Sequence, residues 1–333
     1  MVRPLAVSLG DPAGVGPELI AEAWARRVEE RLPPFFVCGG WDILSEAAKT
    51  RGLAVPVGSI EKPADALWMF EEALPSVPMT MPGYRPGRPD RAGAELALAS
   101  LILASDAAVS REAAGLVTGP VSKAQLADVG FEFPGQTEFV ANFCEFPSDD
   151  AVMMLAGPNL RTVPMTVHCA LSEVPGRLSV ELIRHRTTIV AKALRQDFGL
   201  ANPRIAICGL NPHAGEEGRM GREEIDIIEP AIAALRAAGI DATGPHPADA
   251  LFAAHARPTY DVAIAMYHDQ ALMPLKALDF DQGVNVTLGL PIVRTSPDHG
   301  TAFGIAGKGI ANPGAMIAAI RMAGEMAARR AAA

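Results

Sequence analysis

The chain has 333 residues, with 29 Lys and Arg against 38 Asp and Glu, a net charge of −9, and 49% hydrophobic residues. At roughly 100–200 residues per domain this length fits two domains or one large α/β unit with a sizeable core. An acidic chain without a basic block excludes a general surface for nucleic acid or anionic membrane, so an anionic ligand must meet a few placed cations.

The pattern alternates short β-rich runs with longer amphipathic ones. Leu5–Leu9 reads as a strand, followed by a Gly/Pro loop and a helix from about Pro17 to Val28. The N-terminal stretch from Met1 to Gly10 has one charge and a short apolar run, so it reads as a strand and not as a signal peptide. Pro34–Cys38 predicts a second strand and Trp41–Lys49 a helix; the Pro-rich stretch 54–92 leaves room for two short strands. Ala92–Glu112 is a long Ala/Leu helix. Its most apolar part, Leu96–Ser105, is about half of the roughly 20 residues that a membrane span needs. Strands follow at Gly115–Thr118, Ala151–Ala156, Thr162–Val167, Arg204–Gly209 and Val262–Met266. Helices are expected at Leu178–Phe198, at Glu223–Ala238 with Ile225, Ile228, Ile232 and Leu235 on one face, and at Asn312–Ala328. Such alternation implies a mostly parallel sheet covered by helices. The domain limits fall near Gly130–Gly135 and near residue 290, giving a first domain of 1–130 plus 290–333 and a second of 131–289.

The 31 glycines and 28 prolines exceed the average share of about 12% by half and mark tight turns between apolar runs. Four cysteines without close pairing (Cys38, Cys144, Cys169, Cys208) argue for a reducing compartment, hence the cytoplasm.

Three of the seven histidines share one local setting. His168, His213 and His268 each stand at or just past the C-terminal end of an apolar strand, 45 and 55 residues apart. Those ends share one edge of an open parallel sheet, the place where ligands bind. Three imidazoles delivered there form a potential metal site with open positions; each taken singly is equally a strand-end residue bonded locally.

Lys276, Asn285 and Arg294 follow at intervals of nine residues among apolar neighbours. A cation in such a setting calls for an anionic partner, and Arg294 offers bidentate recognition of a carboxylate or phosphate. Snorkelling is the plainer alternative for either cation. Gly10-Asp-Pro-Ala-Gly-Val-Gly-Pro-Glu18 is either an anion-presenting turn or a tight connection; no GxGxxG follows any strand, so a dinucleotide would not bind in the Rossmann way.

These motifs, together with Thr118-Gly-Pro-Val-Ser-Lys123, Gly135-Gln-Thr-Glu-Phe139, Asn211-Pro-His-Ala-Gly-Glu216, Gly244-Pro-His-Pro-Ala-Asp249, Tyr267-His-Asp-Gln270 and Arg294-Thr-Ser-Pro-Asp-His-Gly300, resemble the 4-hydroxythreonine-4-phosphate dehydrogenase family of vitamin B6 biosynthesis over nearly the whole length. The resemblance implies a two-domain α/β/α fold of the isocitrate and isopropylmalate dehydrogenase type, mostly parallel and not Rossmann. It implies a homodimer whose site lies in the interdomain cleft and is completed by the partner subunit. His168, His213 and His268 match the divalent-metal ligands (Zn, Co or Mg), one of them supplied across the dimer. Gln136, Thr137, Lys276, Asn285 and Arg294 match the substrate contacts; Asp249 and Asp269 fall beside the site, and Lys276 doubles as a candidate base.

A second resemblance, to the nucleotide loop of isopropylmalate dehydrogenases, assigns His299, Gly300, Thr301, Ala302 and Asn312 to NAD or NADP. The implied reaction oxidises 4-phosphooxy-L-threonine to 2-amino-3-oxo-4-phosphooxybutanoate, which loses CO₂. Many members carry His where this chain has Gln136, which keeps open the sister branches acting on D-threonate or D-erythronate 4-phosphate or on a dihydrodiol dicarboxylate. A dehydrogenase holding Mg²⁺ by aspartates, a phosphotransacetylase-like acyltransferase and a metal-dependent binding protein are the further alternatives.

Overall fold

The computed structural model describes residues 3–80 and 83–332. The remaining residues, touched by the expectations for the N-terminus, the Pro-rich stretch and the domain limits, lie outside the described residues. The chain divides into two compact units, one of residues up to Ala151 with Leu290–Ala328, the other of Val152–Gly289 with the chain from Arg329 onward.

The first unit holds β1 (Leu5–Ser8), β2 (Phe35–Cys38), β3 (Val57–Ser59), β4 (Leu74–Val77) and β5 (Leu116–Thr118). The second holds β6 (Val152–Ala156), β7 (Arg161–Pro164), β8 (Ile205–Cys208), β9 (Ala242–His246), β10 (Val262–Ala265) and β11 (Val284–Leu288), after which β12 (Arg294–Pro297) returns to the first. Strand order in the first unit is β3-β4-β2-β1-β5-β12, parallel throughout. In the second it is β11-β6-β7-β10-β8-β9, parallel except where β6 meets β11 and β7. The fold is therefore α/β with a mostly parallel sheet, as the alternation predicts. Strands β1 and β2 are wholly buried, which explains why they read as continuous apolar runs.

Phe36, Leu101, Leu116, Phe139 and Val140 share one core in the first unit. Four rings (Phe131, Phe133, Phe139, Phe143) interlock there with centroids 5.4 to 5.8 Å apart. Residues 131–151, which the sequence pattern puts in the second domain, thus pack with the first. At the other end of the chain, within the second unit, buried Asp197 pairs with Arg330 at 2.6 and 2.9 Å.

Helix Arg91–Val109 is long and apolar enough by composition to cross a membrane. Its Leu101 and Ala104 are fully buried in the first unit's core, and Asp90 Oδ1 caps its start by accepting from Gly93 N at 2.8 Å. Packing, and not length, assigns it to the core.

Several elements differ from the pattern. β9 runs through Gly244 and Pro245, a pair that reads as a turn; as the outermost strand it tolerates the missing N–H. Helix His268–Asp279 forms despite Pro274 in its interior. The helix expected from Glu223 begins as a π turn, Glu224–Ile228, before Glu229–Ala237 continues as α. That extra residue shifts the phase, so Glu224 is buried and Ile225 only partly so.

Replacing fully buried Leu101 by Ala should cost about 2–5 kcal/mol of stability, read as a lower denaturation midpoint with an unchanged m-value.

Candidate active site

β7, β10 and β8 are adjacent and parallel, so their C-terminal ends open on one edge. Buried side chains tie these ends together. Thr166 Oγ1 donates to Met266 O at 2.8 Å, Met266 N donates to Gln270 Oε1 at 2.7 Å, and Gln270 Nε2 donates to Gly209 O at 2.9 Å. One continuous chain of hydrogen bonds therefore spans the three ends that lead to His168, His268 and His213.

Two of these histidines meet. The rings of His168 and His268 lie 5.9 Å apart, centroid to centroid. They line a cavity of about 490 Å³ with Tyr267, Asp269, Cys169 and Arg177. His268 Nδ1 and Asp269 Oδ1 are 2.7 Å apart, which favours the Nδ1–H tautomer with the lone pair on Nε2. His213 has the same arrangement, with Nδ1 2.8 Å from Glu216 Oε1, but its side chain is 61% exposed.

The three rings do not converge within one chain: among the described residues no three His, Cys, Asp or Glu side chains are grouped to hold a metal. The backbone gives the reason. Residues 213–217 run in the left-handed region, with φ of 52, 52, 78, 42 and 56°. This turn stands His213 out into solvent.

Other residues expected at the site fall on two units. In the second, Lys276 lies two turns beyond His268 on helix His268–Asp279. Asn285 of β11 is opposite Leu155, which is opposite Thr162 of β7, whose Oγ1 donates to Ala271 O of that helix at 3.1 Å. Cross-strand partners share a face, so Asn285 points to the side carrying His268 and Lys276. Its Oδ1 is buried with no hydrogen-bond partner among the described residues, as a ligand-binding amide would be. Asp249 is exposed on the short helix Ala248–Leu251, and Asp269 serves His268.

In the first unit Arg294 opens β12 and is 3% exposed. Its Nη2 donates to Thr118 Oγ1 at 2.8 Å and to Gln136 Oε1 at 3.5 Å, and its Nη1 donates to Thr137 Oγ1 at 3.4 Å. Gln136 Nε2 in turn donates to Gly119 O at 3.1 Å. Burial pushes the Arg294 guanidinium down to about 10, against the pull of the Glu138 carboxylate, so it is still charged at neutral pH. The predicted substrate residues Gln136, Thr137 and Arg294 are thus brought into one cluster. Thr118 completes it; its sequence signal was only its place in a strand-to-turn motif.

The Gly10–Pro17 turn is a tight connection. Asp11 N donates to Pro120 O, Gly14 N to Asp11 O and Val15 N to Thr301 O, each at 2.9 Å, so these groups do not face an anion. A Cβ on Gly14 would sit 2.8 Å from Thr301 O, which is why glycine stands there. Of the candidate cofactor residues, Thr301 is anchored by that carbonyl, Gly300 is exposed and Ala302 has φ 48°. Asn312 Oδ1 accepts from Gly314 N at the start of the last helix. His299 Nδ1 lies 3.0 Å from Gly300 O, while its Nε2 is buried without a hydrogen-bond partner among the described residues.

The family model "Pyridoxal phosphate biosynthetic protein PdxA" matches residues 31–323. The chain belongs to this family. A 4-hydroxythreonine-4-phosphate dehydrogenase from Erythrobacter litoralis (strain HTCC2594) is 60% identical over 329 residues, covering 99% of this chain and 98% of the relative. Among solved structures, a 4-hydroxythreonine-4-phosphate dehydrogenase from Klebsiella pneumoniae superposes with a TM-score of 0.85 at 35% identity, covering 98% of each chain. A terephthalate 1,2-cis-dihydrodioldehydrogenase from Burkholderia xenovorans LB400 follows at a TM-score of 0.66 and 29% identity, covering 97% of this chain and 98% of its own. The PdxA fold and the sequence expectation of family agree.

All four cysteines of this PdxA chain are free. Burial pushes the Cys208 thiol up to about 12 and Cys38 higher still, whereas Cys169 lines the cavity. Titration of the native protein with a thiol reagent should therefore modify Cys169 and leave Cys38 and Cys208 untouched until denaturant is added.

Proposed function

We propose that this chain is a metal-dependent, nicotinamide-linked 4-hydroxythreonine-4-phosphate dehydrogenase. It oxidises the C3 hydroxyl of 4-phosphooxy-L-threonine, and the 2-amino-3-oxo acid formed loses CO₂ to give 3-amino-2-oxopropyl phosphate. The observation that carries the reading is the His168–His268 pair on the cavity wall, with His268 oriented by Asp269. The relatives' names and the PdxA match support this substrate.

The donor set fits a divalent metal. His168 and His268 supply two imidazoles, and His213, exposed and with Nδ1 engaged by Glu216, is suited to reach a second copy of the chain. The enzyme on this reading is a homodimer sharing its sites. Imidazoles suit Zn or Co, with Mg also admitted where open positions are filled by oxygen donors. A metal held there would lower the pKa of the substrate alcohol, and NAD or NADP would supply the hydride acceptor. The protein's own part is positioning and charge. Arg294, with Thr137 and Gln136 beside it, holds the phosphate through charge-assisted bonds, and Lys276 and Asn285 bind the remaining polar groups of the substrate. His299, Gly300, Thr301, Ala302 and Asn312 form the nucleotide loop; the buried Nε2 of His299 supports a ligand there. Asp249 lies beside the site. Free cysteines support a cytoplasmic setting.

A second reading has an observation in its favour. Gln136, in place of the His of many members, is bonded to Gly119 and Arg294 and carries no charge toward a phosphate. That leaves charge recognition at this end to Arg294 and keeps open the sister substrates, D-threonate or D-erythronate 4-phosphate or a dihydrodiol dicarboxylate that lacks the phosphate. The deciding experiment is NAD- and NADP-linked oxidation of all three phosphates after metal stripping and add-back. Turnover fastest with 4-phosphothreonine, and only with metal restored, supports the first reading; preference for a sugar-acid phosphate supports the second.

His213→Ala should abolish most metal binding and turnover while leaving the melting curve of the metal-free protein unchanged. Arg294→Ala should raise KM for the phosphorylated substrate by roughly 30-fold or more, the loss of a buried charge-assisted contact. Retained metal or an unchanged KM would remove the respective residue from the site.

A further inference from the structure

We infer that Glu224, which no motif of the family resemblance includes, is the positioning residue that builds the His213 turn. The inference rests on the reading of His213 as a metal ligand. Glu224 is 2% exposed, at the first position of the π turn. Its Oε1 accepts from Leu210 N and from Asn211 N, both at 2.8 Å, and its Oε2 accepts from Asn211 Nδ2 at 2.9 Å. Three donors immediately before His213 thus converge on one carboxylate.

The surroundings are shaped to it. A Cβ on Gly215, in the middle of the left-handed turn, would sit 2.6 Å from Glu224 Oε2, and one on Gly209 would sit 3.1 Å from Oε1. Asn211 Nδ2 also donates to Glu223 Oε2 at 2.7 Å, and a Cβ on Gly221 would meet that Nδ2 at 2.3 Å. The left-handed path is therefore wrapped around the Glu224 carboxylate, with glycine wherever the wrapping is tightest. Four residues of the turn other than Gly215 hold positive φ, a conformation that relaxes toward ordinary backbone once its template is lost. Glu224 does not touch the His213 ring; it fixes the backbone from which the ring projects.

Metal affinity of the full-length protein, measured by competition with a chromophoric chelator for Co²⁺, tests this. Glu224→Gln keeps the shape but sets an N–H₂ against backbone or Asn211 donors. The expected result is a 10–100-fold weaker affinity, the range for loss of an outer support. The metal-free melting temperature should stay near that of the parent, and amide exchange at Leu210 and Asn211 should be faster. In a His213→Ala background the same substitution should change affinity no further, because Glu224 acts through His213. A folded Glu224→Gln with parental affinity, or with an equal loss in the His213→Ala background, overturns the inference. If Glu224→Gln fails to fold, Gly215→Ala displaces the carboxylate with Glu224 intact, and the same two outcomes decide. Parental affinity in His213→Ala itself removes the metal reading, and this inference with it, and is told apart because it needs no Glu224 variant.

Discussion

The site depends first on register among three strand ends. A metal ligand misplaced by an ångström is a poor ligand, and loops alone do not hold such tolerances. Here β7, β10 and β8 are locked by their ladders, and the lock is carried past the last ladder bond by Thr166, Met266, Gln270 and Gly209. Gln270 is the centre of this chain. As an amide it both accepts and donates, so a single buried side chain satisfies Met266 N and Gly209 O at once. Neither a carboxylate, which only accepts, nor an ammonium, which only donates, could do so. Its place two residues after His268 makes the same helical turn carry the proposed ligand and brace the strand beside it.

The first unit meets a different constraint, a buried cation in a chain of net charge −9. Taking a guanidinium out of water disfavours its charge, and burial does lower the Arg294 pKa to about 10. An ammonium similarly buried would come much closer to losing its proton at neutral pH, because it starts lower. The oxygens of Thr118, Thr137 and Gln136 that orient the fork are neutral, while the Glu138 carboxylate helps it keep its charge. A charge kept and aimed in this way attracts an anion locally, where the protein's overall field repels one.

Much of this was legible in the sequence, for identifiable reasons. Strands buried on both faces announce themselves as apolar runs, so β1, β2, β5, β8 and β10 could be placed within a residue or two. His168, His213 and His268 could be assigned to strand ends because each follows such a run directly. What pattern cannot show is direction. Nothing in Asn211-Pro-His-Ala-Gly-Glu216 says that the backbone turns left-handed and separates His213 from the other two rings. β12 was hidden because its Arg294, Ser296 and Pro297 do not look like a buried strand, although all three are buried. Residues 131–151 were assigned by turn chemistry, whereas their five phenylalanines, which pack in one core with Phe36, Leu101 and Leu116 far away in sequence, decide where they belong. Glu224 did leave a trace: with Ile228, Ala231, Ile232 and Leu235 it lies on the buried face, and a carboxylate there needs donors. The π turn obscured it by putting Ile225 in apparent register.

The His213 turn is an instance of local strain sustained by burial elsewhere. An L-residue in left-handed helical conformation costs roughly 1–2 kcal/mol, and His213, Ala214, Glu216 and Glu217 all adopt it. That cost is comparable with the whole stability of many domains, about 5–15 kcal/mol. Hydrogen bonds to a charged group contribute roughly 1.5–3 kcal/mol each, and Glu224 accepts three. The two terms are of similar size, so the turn exists because the carboxylate is there, and without the turn that carboxylate would be buried with its donors dispersed. Each makes the other tolerable, and the product of the arrangement is an exposed imidazole on a backbone tied to a buried carboxylate. On the proposed reading, in which His213 completes the site of a second copy, rigidity at the root and exposure at the tip are the two properties required.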